Sequence, residues 1–165
     1  MLLGLLRHGV AHDAGPDTEW RDEPRALTDE GRRRMRAAAN GIAHLGLDFD
    51  AVLTSPLTRC LQTAEIVGNA LQTAPLVDPR LRPGLHIGGL IGLLLEHSEA
   101  PAVLVCGHQP DLSTVTADLT GGCVEFKKGS LALIEIPVLH ERTGHLVALY
   151  PPAALRRLDT GRATP

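Results

Sequence analysis

The sequence predicts an α/β protein with a mainly parallel sheet, because short apolar runs alternate with longer segments of helical periodicity. Three of these runs, residues 2–6, 51–54 and 102–106, suit strands that are buried on both faces. Two late runs, residues 130–137 and 144–150, predict a hairpin. The hairpin adds antiparallel strands, so the expected sheet is mixed.

The first predicted helix follows a polar loop over residues 9–25. Thr28 is a suitable N-cap, and apolar side chains then recur at helical spacing as far as Leu45. Gly46 suits the end of this helix, because glycine readily adopts the left-handed conformation that follows a helical C-terminus.

The second predicted helix comes directly after the strand at residues 51–54. Ser55 is the expected N-cap, and Pro56 suits the first helical position, where a missing N–H costs no hydrogen bond. An apolar stripe then continues to Leu71. Further patterns predict a short strand and two more helices, at residues 76–77, 86–97 and 110–119.

Bulk properties restrict the class of protein. The length of 165 residues suits one domain, residues 1–165, in which a surface strap from Pro151 ends in a frayed tail over about residues 153–165. A formal net charge of −3 gives no reason to expect a nucleic-acid partner. The apolar runs are too short for a signal peptide or a membrane span. The odd number of cysteines, without metal-binding spacing, predicts reduced thiols and a cytoplasmic location.

Cationic side chains follow the ends of three predicted strands. Arg7 and His8 come after the first strand, Arg59 lies in the first turn after the second, and His108 follows the strand at residues 102–106. Because the carboxyl ends of parallel strands share one edge of a sheet, these four side chains are expected to meet there.

Such a cluster has a definite chemical meaning. Guanidinium groups bind phosphate in bidentate fashion, and one neutral imidazole is a competent nucleophile for a phosphoryl group. A second, protonated imidazole stabilises the charge that develops on the phosphoryl oxygens. Gly9 is expected to let the backbone approach the phosphate closely. With this many cations, neither a metal ion nor a cofactor is expected.

Four sequence blocks carry a resemblance to a known family. Residues 7–9 read Arg-His-Gly, residues 54–64 read TSPLTRCLQTA, and residues 107–110 read GHQP. In this order and spacing, the blocks resemble the histidine phosphatase, or phosphoglycerate mutase-like, superfamily. The chain length and the RALTDEG segment at residues 25–31 resemble its short SixA-type phosphohistidine phosphatases.

The resemblance implies a fold and a set of roles. The fold would be a three-layer α/β/α sandwich of the phosphoglycerate mutase-like type, without a large cap insertion. His8 would be the nucleophile that forms a phosphohistidine intermediate, and Arg7, Arg59 and His108 would complete the phosphate pocket. Arg25 would be an additional phosphate ligand.

One departure from the superfamily pattern bears on the substrate. Many members carry an acidic residue, often after an Arg-Leu-Arg stretch, but Pro83 follows residues 80–82 here. An alkoxide leaving group needs a proton donor, whereas a protonated imidazole leaves as a neutral base. The expected partner is therefore a phosphohistidine domain of a protein. The alternative partner is a small phosphorylated substrate. The carboxyl group that protonates its leaving oxygen would then come from the loop, at Asp13, Asp17, Glu19 or Glu23.

Other interpretations stay open at this point. The chain would be a non-catalytic phosphate-binding module if His8 did not accept a phosphoryl group. His8 and His108 would be structural if they turned into the core, and His8 with His12 has the spacing of a zinc pair, although in a segment that reads as loop. Cys60 and Cys106 are interpreted as packing residues.

Overall fold

The structure, a computed structural model, describes residues 1–141 and 143–159. The strands in chain order are β1 (Leu2–Arg7), β2 (Ala51–Thr54), β3 (Pro75–Val77), β4 (Ala102–Gly107), β5 (Leu131–Val138) and β6 (Thr143–Tyr150). The helices are α1 (Asp29–Ala43), α2 (Thr58–Leu71), α3 (Ile87–Glu96), α4 (Asp111–Thr120) and α5 (Pro152–Leu158).

The six strands form one mixed sheet in the order β3-β2-β4-β1-β5-β6. Strands β1 to β4 are parallel to one another, β5 pairs antiparallel with β1, and β6 pairs antiparallel with β5 to complete the hairpin. The predicted mainly parallel, mixed sheet is thus confirmed. Strands β1 and β4 are direct neighbours, and their register pairs Arg7 with Gly107. The residues that follow these two, His8 and His108, therefore leave the sheet side by side.

Helices cover both faces of the sheet. Alternate strand residues point to opposite faces, so that Leu5 joins the core under α3 and α4, whereas Leu6 joins the core under α1, α2 and α5. The arrangement confirms the three-layer α/β/α sandwich. No helix within the described residues is both long enough and apolar enough to cross a membrane.

The helix boundaries agree in part with the sequence prediction. Thr28 is the N-cap of α1, and its hydroxyl oxygen accepts a hydrogen bond from Gly31 N at 2.9 Å. The prediction for α2 was wrong, because the helix begins at Thr58 with Leu57 as the N-cap. Ser55 lies in the turn before it, where its side chain accepts a hydrogen bond from Leu57 N at 3.3 Å.

The C-terminal segment differs from the predicted surface strap. Residues 152–158 form α5, which packs against α1 and buries Leu155 completely. Gly41 of α1 makes this packing possible, because a Cβ atom there would lie 1.9 Å from the carbonyl oxygen of Leu155. The predicted frayed end falls largely on residues 160–165, outside the described residues.

We expect Leu155→Ala to lower the free energy of unfolding by about 2–5 kcal/mol, because it leaves a cavity between α5 and α1. Urea denaturation measures the change. Leu158→Ala is the matched control, since Leu158 lies on the same helix with 41% of its surface exposed, and it should cost clearly less. Equal losses in the two variants would show that α5 is not anchored through Leu155.

Candidate active site

The two histidines lie together at the edge of the sheet. Their ring centroids are 5.5 Å apart and the rings are inclined by 58°. His8 is 6% exposed and His108 is 4% exposed, so both rings are largely shielded from water. Hydrogen bonding extends the sheet into this site, because His8 N donates to Gly107 O at 3.2 Å.

Hydrogen bonds at both ring nitrogens orient the His8 side chain. Its Nδ1 lies 2.8 Å from the carbonyl oxygen of Gly9, which can only accept, so Nδ1 carries the proton. Nε2 therefore carries a lone pair, which accepts a hydrogen bond from Arg59 Nε at 3.3 Å. Burial, opposed in part by the Gly9 hydrogen bond and reinforced by Arg59, His108 and Arg7, lowers the pKa of His8 to about 3. A neutral, nucleophilic imidazole results at physiological pH.

His108 is held by groups from α2 and the turn before it. Its Nε2 lies 2.8 Å from Ser55 Oγ, and its Nδ1 lies 3.3 Å from Arg59 Nη2. Because the guanidinium can only donate, Nδ1 is an acceptor in this contact and Nε2 donates to the serine. The thiol of Cys60 lies 3.6 Å from His108 Nε2, so this buried cysteine touches the site as well as the core.

The two predicted pocket arginines both lie close enough to His8 for their charges to act on its ring. Arg59 is 5% exposed and contacts both imidazoles. Arg7 donates from Nη1 to Phe126 O at 2.6 Å, while its buried Nε has no hydrogen-bond partner within residues 1–141 and 143–159. Burial lowers the pKa of Arg7, opposed by the charge of Glu125. An anion beside Nε would satisfy this donor and offset the desolvated charge.

Arg25 reaches the site through a carboxylate. Its Nη1 donates to Asp22 Oδ1 at 2.7 Å, and Asp22 Oδ2 accepts from Arg59 Nη2 at 2.8 Å. Arg25 Nε also donates to His12 O at 2.6 Å. The Asp22 carboxylate therefore bridges Arg25 and Arg59. The path of the loop that carries Asp22 and Arg25 was not predicted from the sequence.

Gly9 contacts both the His8 ring and two helices. Its N–H donates to Thr63 Oγ1 at 3.1 Å and its carbonyl accepts from His8. A Cβ atom at this position would lie 2.6 Å from Met35 Cγ. The Gly9 backbone thus orients the His8 ring and contacts α2, and its missing side chain makes room for α1.

Three of the four carboxyl groups proposed as an acid form ion pairs at the surface. Glu19 pairs with Arg21 at 3.0 Å, and Glu23 forms an ion pair with Arg82. Asp13 lies 3.6 Å from Arg25 Nη2. The carboxylate that contacts Arg59 is instead Asp22, which the sequence analysis did not single out.

Sequence reasoning missed three side chains of the site. Ser55 directly follows β2, so the rule that found Arg7 and His8 would have found it too. Thr63 lies one helical turn after Arg59, and its hydroxyl donates to Arg59 O at 2.6 Å. Asp22 carried no such signal, because it lies inside an irregular loop. Within residues 1–141 and 143–159, no group of three or more His, Cys, Asp or Glu side chains is placed to hold a metal ion.

Comparison with known proteins agrees with this geometry. The family model of the Histidine phosphatase superfamily (branch 1) matches residues 3–92. The phosphohistidine phosphatase SixA of Escherichia coli (strain K12) is 32% identical over 127 residues, which is 74% of this chain and 76% of that protein. The structure of the protein histidine phosphatase SixA complexed with tungstate aligns with a TM-score of 0.83 at 27% identity, over 94% of this chain and 99% of that chain.

A more distant structure shares the fold alone. The alpha-ribazole phosphatase from Shigella flexneri aligns with a TM-score of 0.71 at 20% identity, over 92% of this chain and 97% of that chain. Together these likenesses confirm the expected phosphoglycerate mutase-like fold, and the described residues contain no large insertion.

We expect His8 to remain neutral as the pH falls well below 6, because its folded pKa is about 3. A histidine in the unfolded chain titrates near pH ~6.5. Between these two values the unfolded chain binds more protons, so the free energy of unfolding should fall as the pH is lowered from about 6.5 towards 3. Nitrogen-15 NMR of the imidazole measures the first effect, and urea denaturation at several pH values measures the second.

Two variants serve as controls for this titration. Arg59→Met should raise the His8 pKa, since it removes one of the charges that lower it. His8→Asn should weaken the acid dependence of stability. A His8 midpoint near pH ~6.5 in the wild-type protein would contradict the neutral-nucleophile interpretation.

Proposed function

We propose that this chain, which belongs to the histidine phosphatase superfamily, hydrolyses phosphohistidine on a protein through a phosphorylated His8. The observation that carries the proposal is the environment of His8 Nε2. This atom is an unprotonated nucleophile beside Arg59 at 3.3 Å, in a buried site that also contains Arg7 and His108.

The cationic groups suit a phosphoryl group that has three non-bridging oxygens. Arg7 Nε is a buried donor without a protein partner in the described residues, and Arg59 Nε points at the nucleophile. These donors are fixed before the substrate arrives, so they stabilise developing charge at little reorganisation cost.

In the first step His8 Nε2 attacks phosphorus and the P–N bond of the substrate breaks in line. The electron pair of that bond returns to the leaving nitrogen of the substrate imidazole. When the other ring nitrogen of the substrate carries a proton taken up from water, the substrate histidine leaves as a neutral base, and no proton has to reach the leaving nitrogen.

In the second step water attacks the phosphorus of phosphorylated His8. The P–Nε2 bond breaks, its electron pair returns to Nε2, and both hydrogens of the water end on inorganic phosphate. His8 keeps the proton on Nδ1 throughout, because that N–H group donates a hydrogen bond to the Gly9 carbonyl oxygen, which lies 2.8 Å away.

The state of the nearby carboxylate favours this substrate over a phosphate ester. Burial raises the pKa of Asp22, but hydrogen bonds and charges from Arg25 and Arg59 outweigh it and lower the pKa below the ordinary value. Asp22 is therefore ionised at neutral pH and is a poor proton donor for an alkoxide. The E. coli relative named as a phosphohistidine phosphatase supports the same substrate class.

We expect wild-type protein to release phosphate from a phosphorylated histidine phosphotransfer domain far faster than from small phosphomonoesters. His8→Ala should reduce this rate by about 10⁴-fold or more, since it removes the nucleophile. Arg59→Met should reduce it by about 10²–10³-fold, since it removes a preorganised donor. Release of phosphorus-32 phosphate measures the rate, and rapid acid-free quenching traps phosphorylated His8.

His44→Ala is the matched control, because His44 is exposed at the end of α1 and hydrogen-bonds to the carbonyl of Asn40 in its own helix. It should retain full activity. Efficient hydrolysis of esters without hydrolysis of the phosphorylated domain would replace the proposal by a small-molecule phosphatase. Phosphate binding without a trapped phosphoenzyme would replace it by a binding module.

A further inference from the structure

The carboxylate of Asp22 joins two arginines that come from different parts of the chain. Its Oδ2 accepts from Arg59 Nη2 at 2.8 Å, and its Oδ1 accepts from Arg25 Nη1 at 2.7 Å. The backbone oxygen of Asp22 also accepts from Arg59 Nη1 at 3.0 Å. One residue thus binds both terminal nitrogens of Arg59 and holds Arg25 beside them.

The same Arg59 guanidinium also contacts both imidazoles. Its Nε donates to His8 Nε2 at 3.3 Å, and its Nη2 lies 3.3 Å from His108 Nδ1. A guanidinium is planar, so fixing its two terminal nitrogens also fixes the direction of Nε. The contacts with Asp22 therefore set the approach of Arg59 to both imidazoles.

The loop that carries Asp22 is itself anchored at the start of α2. Thr58 N donates to Glu23 O at 3.2 Å, and the Glu23 carboxylate forms an ion pair with Arg82. Because Arg59 is the next residue after Thr58, backbone and side-chain contacts hold Asp22 on the turn that presents Arg59. The contacts that hold the Asp22 loop in place thus involve neither of the two imidazoles.

We propose that Asp22 is a positioning residue that holds Arg59 against His8 and His108 and ties Arg25 to the same site. The proposal rests on the proposed function only in treating Arg59 and Arg25 as phosphate ligands. Asp22 acts through these arginines, and its carboxylate takes no part in bond making or breaking.

The direction of the His8 pKa separates positioning from a simple charge effect. The groups that face His8 are Arg7 from β1, Arg59 from α2, His108 after β4 and the carbonyl of Gly9. Loss of a negative charge alone would favour the neutral ring and lower the pKa. Loss of positioning would let Arg59 move away from Nε2 and raise the pKa, because Arg59 is one of the charges that lower it.

The experiment compares Asp22→Ala with Glu96→Ala. Both variants remove one exposed carboxylate that pairs with an arginine, since Glu96 pairs with Arg80 at 2.6 Å in an ion pair that includes no residue of the site. The side chain of Asp22 is 51% exposed, so its loss should leave the fold intact, and thermal unfolding checks this. Asp22→Asn, which keeps the shape and removes the charge, provides a second variant if the alanine protein is unstable.

Two readouts are made on the substrate-free protein. The affinity for inorganic phosphate should fall by about tenfold in Asp22→Ala, the equivalent of one charge-assisted hydrogen bond. The His8 midpoint in nitrogen-15 NMR should rise. Glu96→Ala should change neither, and Asp22→Glu should restore part of the phosphate affinity.

Unchanged or tighter phosphate binding in Asp22→Ala would overturn the proposal, and tighter binding would mark the carboxylate as a competitor of phosphate. A His8 midpoint that stays constant or falls would overturn it as well. Neither readout uses a phosphohistidine substrate, so both remain decisive even if the protein proves to hydrolyse esters or nothing at all.

Discussion

The parallel pairing of β1 with β4 is the constraint on which the site depends. The register that ends with Arg7 beside Gly107 delivers His8 and His108 at the same level of adjacent strands, about a hundred residues apart in sequence. Strand spacing alone then brings the two rings to 5.5 Å. A shift of one residue in either strand would turn one ring to the opposite face of the sheet. The apolar side chains that fix this register in the core therefore also fix the relative positions of the two histidines.

The concentration of positive charge keeps His8 neutral, which is the state that the proposed nucleophile requires. Arg7 and Arg59 face a largely buried ring, so protonation of His8 would add a further charge in a place that water stabilises poorly. The same charges that keep His8 neutral attract a phosphoryl dianion. Substrate binding and nucleophile activation are thus two consequences of one electrostatic arrangement, and loss of either arginine would affect both.

Much of this could be predicted from local signals. The apolar runs predicted the strands of the sheet, and the rule that ligands bind beyond strand carboxyl ends grouped His8, Arg59 and His108. The signals failed where structure depends on long-range contacts. Helix α5 forms because Leu155 finds a place beside Gly41 of α1, and the tail sequence alone does not reveal that partner. Asp22 was missed for the same reason, since an irregular loop has no periodicity from which to infer its path.

The carboxylate in the site connects geometry to leaving-group chemistry. A phosphatase that acts on esters needs a carboxyl group with a raised pKa near the leaving oxygen, whereas Asp22 lies between two guanidinium groups that lower its pKa. The contacts that suit Asp22 for orienting Arg59 are therefore the same contacts that make it unsuited to donate a proton. Asp22 therefore supplies no proton to an alkoxide leaving group. A leaving group that departs as a neutral base needs no such donor, and this supports the proposal that the substrate is a phosphoramidate rather than an ester.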